Sequence, residues 1–158
     1  MMPFHSKPQR LLTETVNPVR YLSRTKSSRR FALKDIMHQL PQVIVDHIAA
    51  HNSPDPQAFL ATFAPDALLN DAQREFLGHD AIRAWAAKEI FGDNVTLEVQ
   101  RAWEHAGGVM LHAKYDGDYD KTNLPDPLIL TNYLVLREGK IAQLIILLNK
   151  TIWAPALA

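Results

Sequence analysis

The sequence predicts an α+β domain in which helices come first and antiparallel strands follow. Between positions 41 and 91, apolar residues recur at helical spacing in separate segments. After position 95 the chain alternates in the manner of strands, and Gly107-Gly108 and Glu138-Gly139 mark tight turns between them. Helices and strands that are segregated along the chain are typical of α+β proteins.

Three helices are predicted before position 92. Pro41 suits a first helical turn, and Ile44, His47, Ile48 and His51 then share one helical face. Asp55-Pro56 starts a short second helix, and Gly78-His79-Asp80 leads into a third helix with an apolar stripe from Ile82 to Ile90. Between these two helices, Pro65-Asp66 predicts a turn into a short strand, Ala67 to Asp71.

Four strands are predicted after the third helix, and they cover Val95 to Glu104, Val109 to Tyr115, Leu128 to Leu136 and Ile141 to Leu148. In the first of them, alternation places Val95, Leu97, Val99, Arg101 and Trp103 on one face. The last two strands are apolar on both faces. We therefore expect one face to cover the helices and the outer face to form a homodimer interface.

Composition excludes several classes of protein. The chain has 158 residues, enough for one domain, and no cysteine, which excludes a disulfide framework, a thiolate metal site and a cysteine nucleophile. No apolar run approaches the roughly 20 residues that span a bilayer. The acidic loop that starts at Asp116 has Lys121 where a calcium loop needs glycine. We expect a cytoplasmic protein with no metal, no cofactor and no membrane partner.

The first 36 residues differ from the rest in composition. Residues 1–34 contain eight Lys and Arg residues but only one acid, Glu14, so the remainder is net acidic. This predicts a basic extension (1–36), a folded domain (37–152) and a C-terminal tail (153–158). The extension has three interpretations: a disordered tail or over-long start before Met37, a mitochondrial targeting segment, or a basic arm for an anionic partner. The acidic body argues against nucleic acid.

Four stretches of the sequence resemble the SnoaL-like proteins of the nuclear transport factor 2-like superfamily. They are Ala49-Ala50-His51-Asn52-Ser53-Pro54-Asp55, Phe63-Ala64-Pro65-Asp66-Ala67, Gly78-His79-Asp80-Ala81-Ile82-Arg83-Ala84-Trp85, and the closing hairpin around Glu138-Gly139-Lys140. The superfamily includes ketosteroid isomerase, polyketide cyclases, scytalone dehydratase and limonene epoxide hydrolase. The resemblance covers about residues 40–150 and implies a cone-shaped, curved antiparallel sheet wrapped around the N-terminal helices, with a mostly apolar pocket inside.

The resemblance also implies three candidate catalytic residues. Asp71 aligns with the general-base aspartate of ketosteroid isomerase. His47 takes the position of that enzyme's oxyanion-binding tyrosine, and Asn132 corresponds approximately to its protonated aspartic acid. Taken by themselves, the same residues also suit structural roles: an aspartate that ends a strand, a packed core histidine, and an asparagine that binds backbone.

Aromatic residues are the candidate walls of the pocket. Trp85, Trp103 and Tyr115 are predicted to bind substrate, and ordinary core packing is the alternative for each. His112 alternates with Met110 and Lys114, and the sequence leaves open which face of the sheet it occupies.

Three functions follow from these observations. The first is a cofactor-independent isomerase, dehydratase or cyclase that acts on a small, mainly apolar compound, with Asp71 as base and with His47 and Asn132 stabilising oxyanion charge. The second is a binding module with the same pocket and no chemistry. The third is a dimeric interaction domain that uses its sheet surface, because one fold can host enzymes and non-enzymes.

Overall fold

The computed structural model describes residues 33–149. The predicted C-terminal tail and all but the last four residues of the predicted basic extension lie outside this range. Within the extension, Lys34 and Asp35 form a short strand and Ile36 is buried. The ordered sheet therefore begins before position 37, and the other predicted boundaries stay predictions.

The three predicted helices are confirmed. They are α1 (Gln42–Asn52), α2 (Pro56–Ala61) and α3 (Gly78–Ala86), and a π-helical turn, Ala87–Phe91, continues α3. Asp55 caps α2, because its Oδ1 accepts a hydrogen bond from the Ala58 amide at 2.9 Å. Pro56 follows at the first helical position, where no hydrogen-bond donor is needed.

Seven strands form one curved sheet that does not close. They are β1 (Lys34–Asp35), β2 (Phe63–Asp71), β3 (Arg74–Leu77), β4 (Thr96–His105), β5 (Gly108–Asp116), β6 (Leu128–Arg137) and β7 (Lys140–Leu148). Their order is β1-β4-β5-β6-β7-β2-β3. Neighbours run antiparallel except β2 and β7, which are parallel. The predicted curved antiparallel sheet is confirmed, with this one parallel pair, whose long connection through β3, α3 and β4–β6 permits parallel alignment.

The N-terminal half of the sheet departs from the predicted boundaries. Strand β2 starts at Phe63 and not at Ala67, so Pro65 and Asp66 belong to a strand and not to a turn. The register between β2 and β7 shifts between Phe63 and Leu68, and such an irregularity accommodates a proline, which lacks a backbone donor. Strand β3 was not predicted.

Strand β4 carries a bulge that reverses the alternation predicted from the sequence. The register between β4 and β5 shifts between Val99 and Arg101. Beyond that point Ala102 pairs with the buried Leu111 and is itself buried, whereas Trp103 pairs with Met110 on the other face. The prediction that Arg101 and Trp103 share a face with Leu97 is therefore wrong, because one extra residue moves every later side chain to the opposite face.

The core lies between the helices and the inner face of the sheet. Its largest fully buried side chains come from both layers and are Phe59, Phe63, Ile44, Leu69, Ile82, Leu134 and Ile141. Two histidines of α1, His47 and His51, are buried in the same core. These buried side chains hold the helices against the inner face of the sheet.

Candidate functional site

The candidate site is a pocket of about 530 Å³ where β2, β5 and β7 end and β6 begins. Most of its lining is apolar or aromatic: Trp85, Ile90, Val95, Tyr115, Tyr119, Leu124, Leu128, Leu130 and Ile146. Charged residues line the rest: Asp71, Arg74, Lys88, Glu89 and Asp93. A concave apolar surface of this volume with a few convergent polar groups is typical of small-molecule sites.

Asp71 is the last residue of β2 and lines this pocket. Two donors bind one of its carboxylate oxygens: Arg74 Nη2 lies 2.7 Å from Oδ2 and Trp85 Nε1 lies 3.2 Å from the same atom. Within residues 33–149, no hydrogen bond reaches the other oxygen, Oδ1. One oxygen is thus anchored and the other keeps its acceptor capacity.

Arg74 connects Asp71 to the π-helical turn. Its Nη1 and Nη2 donate to the two carboxylate oxygens of Glu89, each at 2.7 Å, in the bidentate geometry that suits a guanidinium. The guanidinium also lies over the Phe76 ring, 5.6 Å from its centroid. Hydrogen bonding to Glu89 is the main reason that the pKa of Arg74 is raised, and hydrogen bonding from Arg74 lowers the pKa of Glu89. The contact between Arg74 and Glu89 thus favours the ionised form of both groups.

Tyr115 lines the pocket, and Asn132 lies behind it. The Tyr115 hydroxyl donates to Asn132 Oδ1 at 2.9 Å, and burial raises the pKa of this tyrosine. Asn132 is buried on the inner face, and its Nδ2 has no partner among the described residues. The amide predicted to stabilise an oxyanion therefore holds the tyrosine in place and does not line the pocket.

His47 lies inside the core and does not line the pocket. The Thr62 hydroxyl donates to the Phe59 carbonyl at 2.6 Å, so its single proton is used. His47 Nδ1, 3.0 Å from Thr62 Oγ1, must therefore carry a proton and donate it. The rings of Phe59 and Phe63 lie 4.6 and 5.3 Å from the imidazole. Burial, with a smaller contribution from His51, lowers the pKa of His47 to about 3.

The structure separates the predicted aromatic walls. Trp85 and Tyr115 line the pocket beside Asp71. Trp103 lies on the outer face, where its ring contacts His112 edge-on with centroids 4.7 Å apart. The face of His112, open from the sequence, is therefore the outer one. The structure brings Asp71, Trp85 and Tyr115 together at the pocket and places Asn132 behind Tyr115, whereas His47 and Trp103 lie elsewhere.

Arg74, Glu89 and Tyr119 are among the pocket residues that were not predicted from the sequence. Arg74 was missed because β3 was missed. The turn before it, Ala72-Gln73, has positive φ angles of 50° and 68° but carries none of the Gly or Asn residues that normally mark such a hairpin. The only sequence feature that indicated this pairing was the i, i+3 spacing of Asp71 and Arg74.

A larger hollow of about 670 Å³ lies beside α1, α2 and the β6–β7 turn, but its apolar lining is small and consists of Val43 and four alanines, Ala49, Ala50, Ala58 and Ala61. Asp46 accepts a hydrogen bond from Gln42, Asp55 caps α2, and Lys140 donates to the Ala61 carbonyl at 2.7 Å. The pocket beside Asp71 is the better candidate, because it combines an apolar wall with a carboxylate oxygen that keeps acceptor capacity.

Among residues 33–149, no group of three His, Asp or Glu side chains is arranged to hold a metal ion. None of the helices in that part of the chain has the length and apolar character required to cross a membrane.

The fold and the pocket together define an α+β domain with a curved open sheet and a small-molecule-sized hollow at its strand ends. The chain belongs to the SnoaL-like domain family, whose model matches residues 44–144. No protein matches it in a search of curated sequences.

Solved structures show the same fold. A proposed polyketide cyclase from Sinorhizobium meliloti is 28% identical, with 69% of this chain and 96% of that chain covered and a TM-score of 0.60. A protein with a ketosteroid isomerase-like fold from Catenulispora acidiphila, solved with trimethylamine, is 22% identical, with 67% and 84% covered and a TM-score of 0.58. A proposed ketosteroid isomerase from Kribbella flavida is 12% identical, with 77% and 85% covered and a TM-score of 0.60. Such identities show the shared fold and not a particular activity.

Proposed function

We propose that the pocket binds a small, mainly apolar molecule that carries one polar group, and that Asp71 accepts a hydrogen bond from this group. The observation that carries the proposal is the asymmetry of the Asp71 carboxylate. Arg74 and Trp85 both bind Oδ2, so Oδ1 keeps its acceptor capacity in a pocket with a largely apolar wall. Acceptance by a charged oxygen is stronger than acceptance by a neutral one.

The apolar wall supports a ligand with a sizeable apolar part, and the pocket has room for a probe with two fused rings. Val95, Leu128 and Ile146 come from three different strands or strand ends, and Tyr115 and Trp85 add aromatic surface. The volume of about 530 Å³ lies within the usual range of small-molecule sites. Burial of the ligand's apolar surface would supply most of its affinity, and Asp71 would orient its polar end.

Binding of 2-naphthol is the test of this proposal. We expect it to shift the indole N–H resonance of Trp85 in a ¹H–¹⁵N spectrum, because this group lies beside the pocket and donates to Asp71. The Trp103 resonance, from the outer face, is the internal control. Asp71→Asn should weaken binding about tenfold, the usual loss for a hydrogen bond to a charged group. Saturable binding with no change at Trp85, or no binding, would contradict the proposal.

A second candidate function is catalysis with Asp71 as a general base. A carboxylate beside an apolar pocket suits removal of a proton next to a carbonyl, the first step in isomerisation, dehydration or cyclisation. The relatives named above as a proposed cyclase and isomerase support this reading. However, His47 and Asn132 do not line the pocket, so the chemistry would depend on Asp71 without the two expected oxyanion donors.

Deuterium exchange separates catalysis from binding without knowledge of the substrate. If Asp71 is a base, the protein should accelerate the uptake of deuterium at the α-carbons of 2-tetralone in D₂O, and Asp71→Asn should abolish the acceleration. Unchanged exchange together with normal 2-naphthol binding would identify a binding module, in which the pocket holds its ligand and performs no chemistry.

We also propose that the domain forms a homodimer through the outer face of the sheet. Met110, Tyr133 and Ile145 are partly exposed there, and Leu147 is 50% exposed, so the face carries the apolar surface that subunit interfaces bury. Sedimentation velocity of the full chain tests this, and a monomer at micromolar concentration would contradict it. A cytoplasmic location stays a prediction.

A further inference from the structure

Arg74 occupies a position that is determined by the hairpin between β2 and β3. It is paired directly with Asp71 across a two-residue turn, and both turn residues, Ala72 and Gln73, have positive φ. This geometry, which non-glycine residues adopt only at some cost, keeps the two strands in tight register. The guanidinium is thereby brought to the carboxylate at the end of the adjacent strand.

Four contacts hold this guanidinium in one orientation. Its two terminal nitrogens make three hydrogen bonds, one to Asp71 and two to Glu89, each 2.7 Å long. Its face lies over Phe76, whose ring lies 6.0 Å from that of Trp85. Because Trp85 donates to the same Asp71 oxygen as Arg74, the cation and the indole together orient the carboxylate.

The charges of the pocket oppose an anionic ligand. Asp71, Glu89 and Asp93 line it with Arg74 and Lys88, which gives three negative and two positive groups. A carboxylate ligand could not form a bidentate pair with Arg74, because Glu89 already binds both terminal nitrogens of the guanidinium. It would also lie close to the carboxylates of Asp71 and Asp93. A hydroxyl, enol or amine would instead donate directly to Asp71 Oδ1.

We propose that Arg74 is a positioning and specificity-determining residue. It anchors Oδ2 of Asp71 so that Oδ1 meets the ligand. The pocket thereby prefers ligands whose polar end is a neutral or cationic proton donor to ligands that carry a carboxylate. This inference rests on the proposed ligand-binding function. In this inference, the Asp71–Arg74–Glu89 network selects the polar group of the ligand, and the apolar wall selects the size of the ligand.

Three probes with the same ring system test the inference: 2-naphthol, 2-naphthoate and naphthalene, titrated at pH 7.5. The wild-type protein should bind 2-naphthol at least about tenfold more tightly than 2-naphthoate. Arg74→Met should weaken 2-naphthol binding about tenfold and leave naphthalene binding unchanged, because only the former depends on the orientation of Asp71. Arg74→Lys should restore part of the loss, since lysine keeps the charge but not the bidentate fork.

Arg83→Met is the matched control, because Arg83 is an exposed arginine paired with Asp80 outside the pocket. It should change none of the three affinities. Equal affinities of the wild-type protein for 2-naphthoate and 2-naphthol would overturn the inference. It would also be overturned if Arg74→Met weakened naphthalene binding as much as 2-naphthol binding, because that would indicate a structural role. If neither 2-naphthol nor naphthalene binds the wild-type protein, the proposed function itself fails. Binding of both without the expected selectivity refutes only the role of Arg74.

Discussion

Acidification from pH 7.5 to 5.0 is expected to lower the free energy of unfolding by about 4 kcal/mol. The reason is that α1 buries two histidines, His47 and His51, which are only 5% and 3% exposed. Burial is the main cause that lowers the pKa of His47 to about 3 and that of His51 to about 4, from an ordinary value of 6.5. Neither ring has a carboxylate in hydrogen-bond contact within the described residues that would stabilise its charged form.

The sign of the effect follows from proton binding in the two states. Below pH 6.5 the unfolded chain takes up a proton on each histidine, and the folded chain does not until the pH approaches 4 for His51 and 3 for His47. Stability is therefore complete above pH 6.5 and falls as the pH decreases through this window. At pH 5.0 each histidine contributes about 2 kcal/mol of loss, from 1.36 kcal/mol per pH unit.

Urea unfolding at the two pH values measures the loss. His51→Leu should make the loss of unfolding free energy between pH 7.5 and 5.0 about 2 kcal/mol smaller, because one of the two neutral histidines is removed. His51 Nδ1 has no partner within residues 33–149, so this replacement breaks no hydrogen bond at that atom. His38→Gln, which removes an exposed histidine, is the control. A wild-type loss below about 1 kcal/mol would contradict the expected cost of charging these two rings.

Phe59→Ala is expected to destabilise the domain by about 4 kcal/mol, within the usual range for a fully buried phenylalanine. Phe59 is 1% exposed and joins the two helices to the rest of the core. Its ring contacts His47, Phe63 and Phe91 at centroid distances of 4.6, 5.4 and 5.6 Å. Truncation removes all these contacts and leaves a cavity that the surrounding rings cannot fill without moving.

Thermal and urea unfolding at pH 7.5 measure this effect. Leu77→Ala is the matched control, since Leu77 is 70% exposed and its truncation should cost no more than about 0.5 kcal/mol. Phe59→Leu, which keeps most of the volume, should cost clearly less than the alanine variant. Equal effects of Phe59→Ala and Leu77→Ala would show that the aromatic cluster does not stabilise the core.

Most predicted elements that depend on local signals agree with the structure, but Pro65-Asp66, predicted as a turn, lies within β2. The three helices were recognised from helical spacing of apolar residues and from residues such as Asp55 and Pro56, whose effects act within one turn. The four long strands were recognised from their composition and their turns. Strand β3 gave no such signal, because Ala72 and Gln73 adopt positive φ without a glycine or asparagine. The bulge of β4 was likewise invisible, since an extra residue leaves no local mark.

The sequence by itself determined the class of fold and the family resemblance, because periodicity and short motifs are local properties. The resemblance also predicted Asp71, Trp85 and Tyr115 as site residues, and all three line the pocket. Only the tertiary structure decided how the carboxylate of Asp71 is oriented. Arg74 and Glu89 lie 15 residues apart and meet through the hairpin and the π-helical turn. Asn132 holds Tyr115 by a hydrogen bond between the neighbouring strands β5 and β6. Such contacts arise from strand register and helix packing, which bring together side chains that no local pattern connects.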